Sequence, residues 1–207
     1  NLNININLGF YLGILFTVFC YLSVVNAFNF LDGINGLAAT IIFSIILIIG
    51  LKNNSIIDIL YLIPLISLIY YFILNIYHKT FLGDSGIYVL STFIFILCLQ
   101  NYSNNILSSE DISILLFIPG IDLIRLVFLR IKNKSKIYIG DKNHLHHLIN
   151  DFISTKYTLL ILSFMFWLPI IEFNFLKINY ILVIVSNLII YSLIVIYFSK
   201  KRFLKFK

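Results

Sequence analysis

The chain has 207 residues, of which 60% are hydrophobic and only 12% are charged. Its mean hydropathy of +1.00 lies outside the range of soluble domains, because too little polar surface exists to cover a buried core. The net charge of +6 would suit a nucleic-acid binder, but the arrangement of the charges along the chain excludes that class. The composition therefore predicts an all-α, polytopic integral membrane protein.

Seven apolar runs follow one another along the chain, and each comes close to the length of about 20 residues that a membrane-spanning helix needs. The second and fourth runs are the shortest. The runs are continuous rather than alternating, which favours helices over a transmembrane barrel. We expect spans at residues 8–25, 37–51, 57–76, 87–101, 111–131, 157–173 and 179–198.

The basic residues are unevenly divided between the two sides of this seven-span arrangement. Of the 15 Lys and Arg residues, only Lys52 and Lys177 fall on one side. Because cytoplasmic loops carry an excess of Lys and Arg, we expect the other side, with the C-terminus, to be cytoplasmic. The protein would then lie in the inner (plasma) membrane, with its basic loops close to anionic lipid headgroups.

The first polar cluster lies between spans one and two. Asn26, Asn29 and Asp32 recur every three residues, which places them near one face of a helix end. Gly33 and Gly36 then allow a tight turn and the close approach of a ligand. The free N–H groups at the start of span two would favour an anion here. A capped interhelical loop explains the same residues equally well.

The second polar cluster, Gly83-Asp84-Ser85-Gly86, begins span four, with Lys79 just before it. An Asp at this position could simply cap the helix. Mg²⁺, however, binds one or two carboxylate or amide oxygens and bridges the rest through water and phosphates. Asp84 together with Asn29 or Asp32 fits that pattern, and Lys79 could neutralise phosphate oxygens.

The third polar cluster contains His144, His146 and His147, close to Asp141. On a helix His144 and His147 would share a face, while His146 would point elsewhere. A structural zinc site would need further Cys or His ligands at suitable spacing. Phosphate binding or proton transfer therefore suits these imidazoles better, and a histidine-rich loop without a role is the alternative.

A further charged pair, Asp122 and Arg125, lies three residues apart in span five. Such a pair within a membrane most simply neutralises itself. The alternative is that it contacts substrate. Pro119-Gly120 should bend or loosen the same span.

Together and in this order, these stretches resemble one family, the bacterial polyprenyl-phosphate N-acetylhexosamine-1-phosphate transferases of glycosyltransferase family 4. The resemblance rests on residues 26–37 (NAFNFLDGINGL), 81–86 (FLGDSG), 119–125 (PGIDLIR) and 141–147 (DKNHLHH). It implies transfer of a sugar 1-phosphate from a UDP-N-acetylhexosamine to undecaprenyl phosphate, with release of UMP. The His-x-His-His loop resembles the subgroup that uses UDP-N-acetylglucosamine to start cell-envelope polysaccharides such as O-antigen.

The resemblance also implies roles for individual residues. Asn29 and Asp84 would bind Mg²⁺, with Mn²⁺ as a substitute, and a homodimer is the implied assembly. The implied catalytic residues are Asp32, Asp84, His144, His146 and His147. The implied substrate-binding residues are Asn26, Asn35, Lys79, Phe81, Arg125 and Asp141.

The chain also departs from the family pattern. The Asp-rich motif and the first helices of the family are absent, and the chain starts at Asn1, so we expect residues 1–207 to be the C-terminal portion of a longer transmembrane catalytic domain. Asn35 stands where many members have Asp. The alternatives are a peptidoglycan phospho-MurNAc-pentapeptide transferase, a transporter and an inactive fragment.

Overall fold

The computed structural model describes residues 9–134 and 143–205, and within these ranges every regular element is a helix. The fold is thus all-α, as the composition predicts. The helices are α1 (Gly9–Asn29), α2 (Leu37–Lys52), α3 (Ile59–Ile76), α4 (Gly83–Ser103), α5 (Ser109–Leu115), α6 (Phe117–Lys132), α7 (Leu145–Asn150), α8 (Thr155–Asn174) and α9 (Tyr180–Lys205).

Five of these helices, α1, α3, α4, α8 and α9, are long and apolar enough to cross a membrane. The consecutive pair α5 and α6 would make a sixth span if the two helices act together. All seven apolar runs of the sequence thus form helices, but α2 has only 16 residues and is too short to be counted as a span by length. The chain is a multi-pass membrane protein.

The short helix α2 lies at the centre of the bundle, where it packs against α3, α4 and α8. Most of its side chains are buried, including Ile41, Ile42, Ile45 and Ile49. A helix that is apolar on every face is stable where protein surrounds it. This explains why α2 need not have the length of a lipid-facing span.

The fifth apolar run is broken into α5 and α6, which meet at an angle of 66°. The break at Leu116 lies one turn before Pro119, rather than at Pro119-Gly120 itself. Proline has no N–H to donate to the carbonyl four residues earlier, and its ring clashes with that carbonyl. The affected carbonyl is that of Leu115, the last residue of α5, so the helix ends there.

The last helix, α9, has 26 residues and is therefore about 39 Å long, which exceeds a hydrocarbon core of about 30 Å. Its final turns contact residues that follow α7, through Arg202 and Phe198. The histidine cluster lies in α7 and just before it, so the C-terminal end of α9 lies close to this segment.

Three connections meet at one end of the bundle, which we call the motif end: residues 30–36, 77–82 and 143–154. They contain or adjoin all three polar clusters of the sequence. At the opposite end, Lys52 forms an ion pair with Asp111, whose carboxylate also completes a capping box with Ser108 at the start of α5. At both ends of the bundle, polar residues from distant parts of the chain thus come together.

Candidate functional site

Two carboxylates from different connections lie close together at the motif end. The carboxylate of Asp32, which follows α1, accepts a hydrogen bond from the backbone N–H of Gly83 and lies near Asp84 in the first turn of α4. Burial, and then the negative charge of Asp84, raises the pKa of Asp32 to about 6, although the Gly83 hydrogen bond opposes this shift. Such a pair of carboxylates attracts a cation.

A buried asparagine joins the same two connections. Asn75, in the last turn of α3, is 4% exposed, and its Oδ1 accepts a hydrogen bond of 2.6 Å from the N–H of Gly36. Its Nδ2 donates a bond of 2.8 Å to the carbonyl of Thr80. Nearby, the Nδ2 of Asn35 and the Nδ1 of His78 are 2.8 Å apart. The connection after α1 is therefore tied to the connection before α4.

Residues 143–151, which contain the three histidines and which we call the histidine segment, pack directly against the connection after α1. A β-carbon added to Gly33 would lie 1.8 Å from Nε2 of His146, so the imidazole occupies the space that any larger residue would need. The backbone of Gly33 has no left-handed conformation, and its requirement for glycine is therefore steric. This contact brings the third polar cluster to the first.

The three histidine rings form one group. The ring centroids of His144 and His146 are 5.4 Å apart and stacked, and those of His146 and His147 are 4.2 Å apart. The expectation that His146 points away from the others is wrong, because His144 is not helical: it precedes α7 with φ −57° and ψ 148°. An extended residue before the helix turns its ring toward the other two.

Within the group the rings differ in exposure. His144 and His146 are buried, and only His147 is half-buried. Burial lowers the pKa of His146 to about 3, and the neighbouring His147, His144 and Arg125 act in the same direction. His146 is therefore neutral at physiological pH, and His147 is the most accessible ring of the three.

Asp122 and Arg125 form the centre of a hydrogen-bond network beneath the histidines. Oδ1 of Asp122 accepts bonds from Arg125 and from the hydroxyl of Tyr191 in α9 at 2.6 and 2.7 Å, respectively. Oδ2 accepts the N–H of Leu145, and Arg125 donates to the carbonyl of Asn143 at 2.7 Å. The pair neutralises itself, as expected, and also holds the start of the histidine segment.

The remaining candidate side chains from the sequence analysis differ in their exposure to solvent. Asn29 is half-buried, whereas Asp84 and Lys79 are exposed at the motif end. Phe81 is 87% exposed, and Asn26 is exposed but donates a hydrogen bond to the carbonyl of Leu22 within α1. Asp141 lies outside the described residues.

The donor set suits a hard cation better than a transition metal. Within residues 9–134 and 143–205 no three His, Cys, Asp or Glu side chains form a group that could hold a metal ion. Asp32 and Asp84 instead offer carboxylate oxygens near each other, and Asn29 lies three residues before Asp32. Mg²⁺ commonly uses one or two protein carboxylates and completes its coordination with water and phosphate oxygens.

The two helix N-termini at the motif end are not equivalent. Leu37, Ala38 and Ala39 at the start of α2 are buried, so this N-terminus does not face solvent as an open anion site would. Gly36 before it has φ 85°, and its N–H is bonded to Asn75. The start of α4 is open, with Asp84 and the residue after it exposed.

Several residues that build the site carry no recognisable motif in the sequence. Asn75 and Tyr191 act through hydrogen bonds to residues far away in the sequence, which spacing along the chain does not reveal. Only the unusual presence of an asparagine within an otherwise apolar helix could have drawn attention to Asn75.

Comparison with known proteins gives a consistent set of relatives. Residues 1–102 match the model of the family described as glycosyl transferase family 4. A probable undecaprenyl-phosphate N-acetylglucosaminyl 1-phosphate transferase of Bacillus subtilis is 32% identical over 143 residues, which are 66% of this chain and 40% of that protein. A decaprenyl-phosphate N-acetylglucosaminephosphotransferase of Mycobacterium leprae is 29% identical over 187 residues, covering 78% of this chain and 47% of that protein.

A third relative, an undecaprenyl-phosphate alpha-N-acetylglucosaminyl 1-phosphate transferase of Yersinia pestis, is 27% identical over 148 residues, 66% of this chain and 40% of that protein. The chain thus spans less than half the length of these relatives. No solved structure gives a significant match. The family model covers the first two polar clusters, and the matched relatives share one reaction type in their names. The chain belongs to glycosyl transferase family 4.

Proposed function

We propose that the protein transfers N-acetylglucosamine 1-phosphate from UDP-N-acetylglucosamine to undecaprenyl phosphate, releasing UMP, as the first step of a cell-envelope polysaccharide. The observation that carries this proposal is the meeting of Asp32, Asp84 and the histidine group at one end of a membrane bundle. The names of the relatives support the sugar phosphate and the polyprenyl acceptor.

The chemistry must bring two polyanions together at a membrane surface, and phosphoryl transfer depends mainly on positioning and charge neutralisation. Asn29 and Asp84 would hold Mg²⁺, which when bound neutralises diphosphate charge. Asp32 lies beside Asp84 and is a carboxylate above a pH of about 6, so it is available to the cation or to a proton.

Other accessible side chains of the site would contact the parts of the substrates that Mg²⁺ does not neutralise. Lys79 lies between Asn75 and the start of α4 and is free to bind a phosphate oxygen. His147, the most accessible ring of the histidine group, would donate a hydrogen bond to the diphosphate or sugar. Phe81 presents an exposed ring on which a base could stack. A homodimer stays a prediction of the resemblance.

The motif end would face the cytoplasm, where the soluble UDP-sugar would reach it. The excess of Lys and Arg at this end supports that orientation. The lipid substrate would then approach between helices, with its phosphate at the same surface as the soluble donor. Both substrates would then meet on one side of the inner membrane.

The test is an assay of membranes containing the protein for Mg²⁺-dependent UMP release from UDP-N-acetylglucosamine and undecaprenyl phosphate. We expect Asp84→Asn to lower the rate by at least about a hundredfold, because it removes a charged ligand of the Mg²⁺ that would neutralise the reacting diphosphate. Asp58→Asn is the matched control, since Asp58 is also an exposed Asp beside a helix start but lies at the opposite end.

Equal rates for the two variants would contradict the proposal. Release of UMP from UDP-MurNAc-pentapeptide but not from UDP-N-acetylglucosamine would indicate the peptidoglycan reaction instead. Uptake of an ion without UMP release would indicate a transporter.

A further inference from the structure

The C-terminal end of α9 contacts both ends of the histidine segment through one side chain. Nε of Arg202 forms an ion pair of 3.1 Å with Oδ2 of Asp151, which follows α7. Nη1 of the same guanidinium lies 3.5 Å from Oδ1 of Asn143, which precedes His144. The two partners lie eight positions apart in the sequence, and the three histidines lie between them.

Aromatic contacts support this arrangement. Nζ of Lys201 lies 4.8 Å from the ring centroid of Phe152, and the ring of Phe152 is 6.1 Å from that of Phe198. Phe198 is buried although it lies near the end of the last helix. The final turns of α9 are therefore packed against the segment rather than projecting freely from the membrane.

Asn143 is held from two sides. Its carbonyl accepts a hydrogen bond from Arg125 of α6, and its side-chain oxygen faces Arg202 of α9. The next residue, His144, stacks on His146, which in turn fills the space over Gly33. A change in the position of Asn143 is thus transmitted through packed rings to the connection that carries Asp32.

We propose that Arg202 is a positioning residue of the active site, which fixes the histidine segment over Gly33 so that His147 faces the substrate. This inference rests on the proposed function for its catalytic consequence, but the contact itself stands independently. A planar guanidinium with several fixed donors can serve two partners at once, which a lysine ammonium does less well.

The alternative role for a basic helix end is attraction to anionic lipid headgroups. In that case any nearby cation would contribute similarly. Lys200 offers the comparison, because it is exposed, carries the same charge and is two residues from Arg202 in the same helix. The ion-pair geometry favours the positioning role.

The first experiment measures UMP release in membranes for Arg202→Gln, Arg202→Lys and Lys200→Gln. We expect Arg202→Gln to lower kcat by about tenfold, with the KM for UDP-N-acetylglucosamine changed by less than about twofold, because the segment is displaced but no substrate contact is lost. Arg202→Lys should recover part of kcat, and Lys200→Gln should match the unmodified protein. Equal losses for Arg202→Gln and Lys200→Gln would overturn the proposal in favour of headgroup attraction.

The second experiment does not depend on activity. Leu148 in α7 is buried, so a cysteine placed there should react slowly with a maleimide unless the segment moves. We expect Arg202→Gln to raise the labelling rate of Leu148→Cys by about fivefold and Lys200→Gln to leave it unchanged. The parent chain, with its two native thiols, gives the background.

The two readouts separate the two proposals. If the unmodified protein releases no UMP but Arg202→Gln still exposes Leu148→Cys, the proposed function fails and the positioning contact stands. If labelling is the same with and without Arg202, the positioning proposal fails whatever the activity.

Discussion

Gly33 shows how one missing β-carbon connects two distant parts of the site. Its α-carbon lies against the imidazole of His146, so a methyl group there would overlap the ring. We expect Gly33→Ala to displace the histidine segment and to lower UMP release by at least about tenfold, since small misplacements of reacting groups cost that much or more. Activity in membranes and thermal stability of the purified protein would measure the effect.

Two comparisons isolate this steric cause. Gly13→Ala, in α1, adds the same methyl group where nothing lies within 4 Å, and it should leave both measurements unchanged or slightly improve stability. Adding His146→Ala to Gly33→Ala removes the overlapping ring and should recover stability. If Gly33→Ala behaves like Gly13→Ala, the close packing described here is wrong.

At the scale of elements, a single amide on α3 ties the connection before α2 to the connection before α4. Asn75 bonds to the N–H of Gly36 and to the carbonyl of Thr80, and both partners are backbone groups that need hydrogen bonds when buried. Replacing Asn75 with Leu keeps a similar volume but leaves these groups unpaired. We expect the Mg²⁺ concentration needed for half-maximal activity to rise by about tenfold, because Asp32 and Asp84 are no longer held in register.

Asn101 provides the matched control for this prediction. It is also a buried asparagine in a helix, 2% exposed, but it donates to the hydroxyl of Tyr61 and the carbonyl of Leu97 at the opposite end. Asn101→Leu should lower thermal stability without changing the Mg²⁺ dependence. If both variants lose stability and have the same Mg²⁺ dependence, Asn75 does not hold Asp32 and Asp84 in position.

The sequence predicts the elements well because each apolar run is close to the length of a bilayer. It does not predict that α2 is enclosed by protein, since that depends on which helices become neighbours. The break at Leu116 is shifted from Pro119 because proline affects the carbonyl four residues earlier. The grouping of the three rings is missed because His144 lies just outside α7, where helical spacing no longer applies.

Site residues that carry charge or belong to a motif are recognisable from the sequence, and the structure brings Asp32, Asp84 and His146 to one end of the bundle. Residues that act by holding others are not recognisable, because Asn75, Tyr191 and Arg202 reach partners far away in the chain. Long-range hydrogen bonds of this kind become visible only after folding.

At the scale of the whole molecule, the orientation in the membrane can be measured directly. Ser85 is exposed at the motif end and Asn105 is exposed at the opposite end. In intact cells, under conditions in which an impermeant maleimide reaches the outer face of the plasma membrane, we expect it to label Asn105→Cys but not Ser85→Cys, because an excess of positive residues favours a cytoplasmic position for the motif end. Labelling of both sites after lysis is the control, and the reverse pattern in intact cells would contradict the orientation.

The shortness of the central helix has a consequence for how a lipid could be used. Helix α2 is about 24 Å long, and Lys52, paired with Asp111, keeps its far end near the polar surface. Because a hydrocarbon layer is about 30 Å thick, an α2 standing upright in it would end roughly 6 Å short of the opposite boundary. A phosphate carried on an isoprenoid tail could then meet that end of α2 without its chain being drawn out into water.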